Sequence, residues 1–590
     1  MPCLIAAPAS GSGKTLLSLL LAALARSRGL ALQPFKVGPD YLDPQLLSRV
    51  SGLSCRNLDP LLCGEQWLRQ CFHWHGSRAP LTLVEGVMGL FDGLGPTSRG
   101  SSAAVAALLE LPVVLVVEAS RQAGSLAALV RGFRDHGPPP VRLAGVVLNR
   151  VGSERHRALL REALASISMP LLGVLPSDHS LELPSRHLGL LPPGELSDLA
   201  ERQRRWAHLA ERHLDLDALW PLLQSPSPLL GAEDPIHWCL ARAQSSPGQG
   251  FTPESASELA ASDAPVGELA ASGVAASDAP VRELAAMEMA LSQKPGGPRV
   301  SSQLAVAGPL ASPGLGIEPG EGMASGLRSG PSPQPLPIAV ASDAAFHFRY
   351  PEATELLQAL GLEPLPWSPL ADDPLPAGCR AVLLPGGYPE LHAAQLAASG
   401  RSLQALRTAA RQGLPIAAEC GGLLLLGREL LDPDGVPHAM AGLLPFGAAR
   451  GALSLGYRQA TACRDGLLVR RGETIWAHEF HRWQLLPAGS KGPISSTGPK
   501  NSCDIAPELP NEPVNRANLW QVEGWGVSPS REGWTTTTLH ATWLHLHWAG
   551  CPEIPLRLAA ASARAVPLPR SAASCPPPTP APASPVSAGG

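Results

Sequence analysis

The chain has no apolar run of membrane-spanning length in its 590 residues, so neither a transmembrane helix nor a membrane partner is expected. No basic segment precedes its apolar N-terminus, so a secretory signal is not expected. It also lacks an excess of positive charge: 46 Lys plus Arg stand against 50 Asp plus Glu, a formal net charge of -4. Without a basic balance or a dense basic run, nucleic acid is not an expected partner. The 11 cysteines show no paired spacing. Neither a disulfide framework nor a zinc site is expected, and a reducing cytoplasm is the expected compartment. What the chain does have is length, too much for one ordinary core, so two or more domains are expected.

The most informative stretch is Pro8-Ala9-Ser10-Gly11-Ser12-Gly13-Lys14-Thr15. A short apolar segment, Cys3 to Ala7, precedes it, and an apolar run, Leu16 to Leu24, follows. The order reads as strand, glycine-rich loop, helix. Gly11, Ser12 and Gly13 let backbone N–H groups close around phosphate oxygens at a helix N-terminus. Lys14 reaches terminal phosphates, and the Thr15 hydroxyl can ligate Mg²⁺. ATP is the expected nucleotide. Pro8 stands where the usual pattern has its first glycine.

Residues 1 to about 240 alternate strand-like and helix-like segments. Leu81–Val84, Val113–Val117 and Ala144–Leu148 are continuous apolar runs, as parallel strands covered on both faces require. Ser125–Phe133 and His156–Leu164 have helical composition. From about Gln244 to Pro337 the chain is rich in Ala, Ser, Gly and Pro, and it repeats Ala260–Val266 at Ala275–Val281. A disordered linker is expected over 244–337, since such a composition buries too little apolar surface to order itself. A second α/β domain is expected over 338–557, with strands near Ala381–Leu384 and Ile416–Ala418 and a helix near Tyr350–Leu360. Lys491–Asn518 reads as a surface insertion and 562–590 as a disordered Pro/Ala/Ser tail. The fold class is therefore α/β, with two doubly wound domains joined by a long linker.

Three segments of the first domain carry polar groups where strands should end, the place where such sheets bind ligands. Phe35 to Pro44 supplies Lys36, able to neutralise phosphate or a substrate carboxylate, and Asp40, able to hold a metal. A Pro/Asp-rich turn would explain the same residues. Val84 to Gly93 ends an apolar strand in Glu85, a position suited to Mg²⁺, and adds Asp92. Asn149 ends a third strand and could bond the nucleotide base or cap a turn.

In the second domain, Ala417-Ala418-Glu419-Cys420-Gly421-Gly422 follows an apolar strand and precedes a Leu-rich helix. This is a nucleophile elbow with cysteine in the nucleophile place. A helix N-terminus lowers a thiol pKa, so a more reactive Cys420 is expected. Gly386 and Gly387 offer backbone donors for an oxyanion. His545 supplies a base for Cys420, with His547 as the alternative on spacing alone.

Taken together these motifs resemble the cobyrinate a,c-diamide synthase family, glutamine-dependent amidoligases of corrinoid (vitamin B12) biosynthesis. The similarity covers both domains and includes Asn57-Leu58-Asp59, Arg186 to Leu190, Asp343 to Tyr350 and His478 to His481. It implies a dethiobiotin-synthetase-like phosphate-loop domain and a class I glutaminase domain. It implies L-glutamine, ATP and cobyrinate as substrates, Mg²⁺ as cofactor, and a possible homodimer. Cys420 and His545 would release ammonia from glutamine. The first domain would phosphorylate the c and a carboxylates of cobyrinate for attack by that ammonia, with Asp40, Leu42 and Asp92 near substrate and phosphate. The same chemistry on hydrogenobyrinate or nickel sirohydrochlorin is an alternative, as is a cobyric acid synthase. A phosphate-loop switch ATPase and a non-catalytic corrinoid-binding scaffold are readings of another class. The chain departs from the family at Pro8 and Glu118. It also lacks a His-x-Glu pair at His545, which leaves the acidic partner unassigned, with Glu553 a weak candidate.

Overall fold

Seven strands of the N-terminal half form one all-parallel sheet. They are β1 (Leu4–Ala6), β2 (Leu32–Val37), β3 (Arg56–Leu58), β4 (Leu81–Glu85), β5 (Val113–Glu118), β6 (Leu143–Val151) and β7 (Leu171–Pro176), in the order β3-β2-β4-β1-β5-β6-β7. The protein is described from a computed structural model over residues 1–178, 185–186, 189–190, 198–229, 231–245, 334–487 and 518–568. Helix α1 (Lys14–Ser27) buries Leu16, Leu17, Leu19, Leu20, Leu21 and Leu24, so it is apolar on all sides. A helix of that kind belongs inside a core. Each buried leucine contributes about 1.5–3 kcal/mol, which fixes α1 and the loop before it. Helix α2 (Leu42–Ser51) follows β2, and the Phe35–Pro44 motif runs from the end of β2 into the first turn of α2. Of the Arg186–Leu190 motif, only the pairing of β8 (Ser185–Arg186) with β9 (Gly189–Leu190) falls among the described residues.

The C-terminal half holds β10 (Leu336–Ala341), β11 (Leu362–Trp367), β12 (Val382–Leu384), β13 (Ile416–Glu419), β14 (Glu429–Leu431), β15 (Pro437–Ala439), β16 (Phe446–Ala462), β17 (Thr474–Pro487), β18 (Trp520–Gly524), β19 (Val527–Glu532), β20 (Trp534–Thr535) and β21 (Leu539–Thr542). One sheet runs β11-β10-β12-β13-β21-β20, parallel except at β20–β21. Another, mostly antiparallel, runs β15-β14-β16-β18-β19, with β17 paired to β16. This second sheet is an addition to the doubly wound expectation. Long β16 is buried at its start and near its end but partly or fully exposed through its middle, so it offers no continuous apolar run.

The two halves share a hydrophobic core. One cluster runs from Leu4, Phe35 and Trp67 to Ala460, Trp548 and Ile554, and all described residues belong to a single packing unit. Two expected boundaries are corrected. Ser562 lies buried inside a helix, Glu553–Arg564, so the tail does not begin there. The expected linker overlaps helix Pro235–Ser245 at its start and β10 at its end, and 246–333 fall outside the described residues, as do 488–517 and 569–590. Among the described residues no helix is long and apolar enough to cross a membrane.

Candidate active sites

The phosphate loop turns through two glycines with positive φ, Gly11 at 79° and Gly13 at 113°, the latter capping α1. A side chain at Gly13 would be strained by that φ and would collide with the Asn149 amide. Asn149 itself donates from Nδ2 to the Ser12 carbonyl at 3.0 Å and accepts at Oδ1 from Arg150 N–H at 3.0 Å. Its amide therefore braces the loop backbone. Lys14 Nζ donates to the Met88 carbonyl at 2.5 Å. Burial, with Lys36 nearby, brings the Lys14 pKa down to about 8.

Parallel pairing sets Lys36 of β2 directly beside Glu85 of β4. Lys36 Nζ lies 2.7 Å from Glu85 Oε1, 2.5 Å from Asp43 Oδ2 and 3.6 Å from Asp40 Oδ2. Burial alone would lower its pKa, but the Asp43, Glu85 and Asp40 carboxylates reverse this and hold Lys36 firmly charged. Thr15 Oγ1 donates to Glu85 Oε1 at 2.8 Å and to Asp43 Oδ2 at 3.2 Å. Asp43 thus stands at the centre of the site, although it was not among the expected site residues. The available signal was local: Asp43 lies in the first turn of α2, three residues after Asp40. Asp40 Oδ1 accepts from Leu42 N–H at 2.9 Å and Asp43 N–H at 3.3 Å, so it caps that helix. Burial and the Asp43 charge raise the Asp40 pKa to about 7. Asp92 Oδ2 accepts from Gly89 N–H at 2.7 Å and pins the loop after β4.

Among the described residues no group of three or more His, Cys, Asp or Glu forms a metal cage. The donors present still suit Mg²⁺, which takes one or two carboxylates plus substrate phosphates. Glu85 Oε2 is buried with no hydrogen-bond partner, beside the Thr15 hydroxyl. A cation would satisfy that oxygen.

Cys420 occupies the turn between β13 and helix Gly421–Leu426 with φ 46° and ψ −105°. Such a non-glycine conformation costs about 1–3 kcal/mol and recurs at functional sites. Its neighbours have no room for side chains. A Cβ at Gly421 would lie 2.8 Å from Pro389 Cδ and 2.9 Å from Gly387 N, and one at Gly422 would strike the Leu384 carbonyl. The Gly386–Gly387 segment is thereby set against the elbow. The expected lowering of the Cys420 pKa is corrected. Burial raises it well above its ordinary value, the Glu390 and Glu419 carboxylates add to this, and the Gly421 N–H compensates only in part. A helix of six residues is too short to overcome these charges.

His545 is fully buried, its backbone bridged to His478 by hydrogen bonds of 2.8 and 3.1 Å. Its ring approaches Gly386, where a Cβ would collide with it. Both ring nitrogens lack partners, and burial, then His478 and His481, lowers the pKa to about 3. Cys420 Sγ donates to the Phe480 carbonyl at 3.7 Å rather than to His545. His547 faces elsewhere: its ring meets Trp67 and Tyr350, and Nε2 lies 3.7 Å from Glu352 Oε2. Glu553 begins the last described helix, in the field of Arg557 and Glu473. Glu479, whose pKa would rise by burial, is instead held at about 2 by its bond to His481 and by Arg458. It is the carboxylate whose field reaches both Cys420 and His545.

The two sites meet. Tyr41, between Asp40 and Leu42, stacks on Phe348 at 5.0 Å between ring centres and lies 4.6 Å from Tyr350 and 5.2 Å from His545. Arg56 of β3 bonds Glu352 at 3.1 Å and Glu355 at 2.6 and 2.8 Å across the halves. Asp59 accepts from the Tyr457 hydroxyl at 2.8 Å.

Residues 3–191 match the family described as a CobQ/CobB/MinD/ParA nucleotide binding domain. Residues 337–551 match the family described as a CobB/CobQ-like glutamine amidotransferase domain. A cobyrinate a,c-diamide synthase of a Synechococcus species is 34% identical over 573 residues, 97% of this chain and 100% of that protein. A Gloeobacter violaceus protein of the same name is 36% identical over 93% of this chain and 94% of its own length. A hydrogenobyrinate a,c-diamide synthase of Streptomyces coelicolor is 38% identical over 94% of this chain and 96% of its own.

Proposed function

The chain belongs to the cobyrinate and hydrogenobyrinate a,c-diamide synthase family, ligases of the glutamine amidotransferase type, and on that premise we propose that it amidates the a and c carboxylates of cobyrinate with ATP and glutamine. Residues 1–240 perform the ligation and 338–557 release the ammonia. Cys420 Sγ attacks the side-chain amide carbon of glutamine while neutral His545 takes the thiol proton and passes it to the leaving ammonia. The resulting thioester is cleared by water. The Gly386–Gly387 backbone stabilises the oxyanion, a role supported by the close approach of Gly387 N to the elbow at Gly421. Burial favours the protonated thiol of Cys420 and the neutral ring of His545, the forms from which this proton transfer starts.

In the other half, a substrate carboxylate oxygen attacks the γ-phosphorus of ATP and ADP leaves. Ammonia then attacks the acyl carbon and phosphate leaves. Carboxylate is a poor electrophile, so phosphorylation supplies the leaving group. Lys14 and Lys36 offset charge on the phosphoryl group. Thr15 and Glu85, with Asp40 or Asp43, would hold Mg²⁺, which supplies further charge neutralisation on the phosphates.

The observation that carries this reading is the contact of Tyr41 with His545, which joins a phosphate-loop site to a cysteine elbow inside one packing unit. A switch ATPase has no use for that elbow. The 38% identity to a hydrogenobyrinate enzyme favours the metal-free macrocycle as a second reading. Mass analysis of products from cobyrinate or hydrogenobyrinate with ATP, Mg²⁺ and glutamine decides. Two ATP-dependent carboxylate-to-amide conversions identify the substrate, and none on either macrocycle overturns the reading.

A further inference from the structure

A half-open cavity of about 440 Å³ lies between the two halves. One wall is Asp40, Asp43 and Met88, from the phosphate-loop half. The facing wall is Leu455, Phe480 and Trp525, from the glutaminase half. Three of these side chains are large, apolar and exposed: Trp525 at 67%, Leu455 at 52% and Met88 at 40%. Single exposed hydrophobics need no explanation, but three around one cavity mark a ligand surface.

The placement of these groups is specific. Trp525 sits in the turn between β18 and β19, and its indole lies against Gly95 of the other half, where a Cβ would come within 2.6 Å of Trp525 Cγ. Glycine at 95 therefore admits the ring. Met88, on the opposite wall, has a positive φ of 45°, and its carbonyl holds the Lys14 ammonium. Asp43 is shared with Thr15 and Lys36. The cavity thus opens at one edge onto the phosphoryl-transfer groups and presents apolar surface elsewhere.

Charge does not select the occupant. Arg458 lines the cavity, but its guanidinium is committed to Glu479 at 2.7 Å and to the Tyr457 carbonyl at 3.0 Å. The fitting ligand has a broad apolar face and carboxylates confined to its periphery. One of those must reach the phosphate loop, and the rest must stay in water, since burying unpaired carboxylates is costly. A half-open cavity permits this and an enclosed one would not.

We propose that the tetrapyrrole site is composite, with Trp525 and Leu455 of the glutaminase half forming the surface for the macrocycle face, and Met88 with the Asp40–Asp43 turn receiving its reacting edge. The proposal rests on the tetrapyrrole reading above. It makes acceptor recognition depend on residues of the half that handles glutamine.

The test uses Trp525→Ala, Trp525→Phe and Leu455→Ser in the full chain, with cobyrinate and hydrogenobyrinate as acceptors. Amidation is driven by ammonium, which bypasses Cys420, and glutamine hydrolysis is measured separately. Trp525→Ala and Leu455→Ser should each raise the KM for the macrocycle on the order of tenfold. Their KM values for ATP and glutamine should stay at the wild-type level, and Trp525→Phe should recover most of the loss. Retained glutamine hydrolysis shows that the variants fold. Unchanged macrocycle KM in both variants, beside an active wild type, overturns the composite site and leaves the tetrapyrrole reading standing. A wild type that amidates neither macrocycle overturns that reading and the composite site with it.

Discussion

The ring of Tyr41 lies 5.2 Å from the ring of His545, although one follows strand β2 of the phosphate-loop half and the other belongs to the glutaminase half. Phe348 and Tyr350 complete the same aromatic contact. Loss of the Tyr41 ring leaves His545, which has no hydrogen bond to fix its ring, free to turn away from the elbow. For Tyr41→Ala we expect the ratio of glutamine-driven to ammonium-driven amidation to fall about tenfold, a loss of near 1.4 kcal/mol in one arm. The ratio cancels any effect on acceptor binding. An unchanged ratio in a folded variant would show that the contact is only packing.

Asp43 bonds Lys36 and Thr15 at once. Asp43→Asn removes the charge while keeping the shape, and Lys36 loses a carboxylate that holds it in place. ATP-dependent amidation should drop by about 10²-fold, the scale of losing one electrostatic contact at a transition state. Glutamine hydrolysis measured alone should change less than threefold. A comparable fall in both activities would place Asp43 in the structure of the whole unit rather than in phosphoryl transfer.

Arg56 is nearly enclosed and is paired with both Glu352 and Glu355. Arg56→Met strands the Glu352 carboxylate, itself buried. The expected cost is about 3–5 kcal/mol, as for a buried pair broken on one side. Arg56→Met combined with Glu352→Gln should recover part of it. Denaturant unfolding of the single and double variants measures both, and equal losses in the two would remove the unpaired charge as the cause.

Glu390 is buried, and that burial raises its pKa to about 8. The folded protein therefore keeps a proton on Glu390 that the unfolded chain gives up near pH 4.5. Stability contributed by this group falls as pH rises from about 4.5 to 8, at up to about 1.4 kcal/mol per pH unit. Glu390→Gln should flatten that slope and raise the Tm at pH 8 relative to wild type. A parallel pH–Tm curve would show that Glu390 is charged in the folded state.

What the sequence made readable was local. Gly11, Gly13, Lys14 and Thr15 sit on consecutive positions, and Cys420 is framed by a strand and two glycines, so spacing alone carries both motifs. Glu85 was legible because an apolar strand ends on it. The contacts that join the halves were not. Arg56 and Glu352 are 296 residues apart, and Asp59 and Tyr457 are 398 apart, so no window shows either pair. Strand β16 was hidden because its middle is partly or fully exposed and carries no continuous apolar run. The Cys420 pKa was misjudged because its burial is set by segments distant in sequence, and that burial outweighs the helix N-terminus that the local motif shows. Ser562 was placed in a polar tail by composition, yet its hydroxyl is satisfied at 2.8 Å by the Leu558 carbonyl inside a helix.

The most direct measurement follows the transferred nitrogen. Wild type and Cys420→Ala are each given the tetrapyrrole, ATP, Mg²⁺, glutamine labelled with ¹⁵N at its side-chain amide, and unlabelled ammonium. Wild type should place ¹⁵N in both new amides. Cys420→Ala should still make the diamide, with ¹⁴N only and the same ATP consumed per amide. A folded Cys420→Ala protein that uses neither nitrogen source, or one that still transfers ¹⁵N from glutamine, would show that Cys420 and the phosphate loop do not divide the reaction in this way.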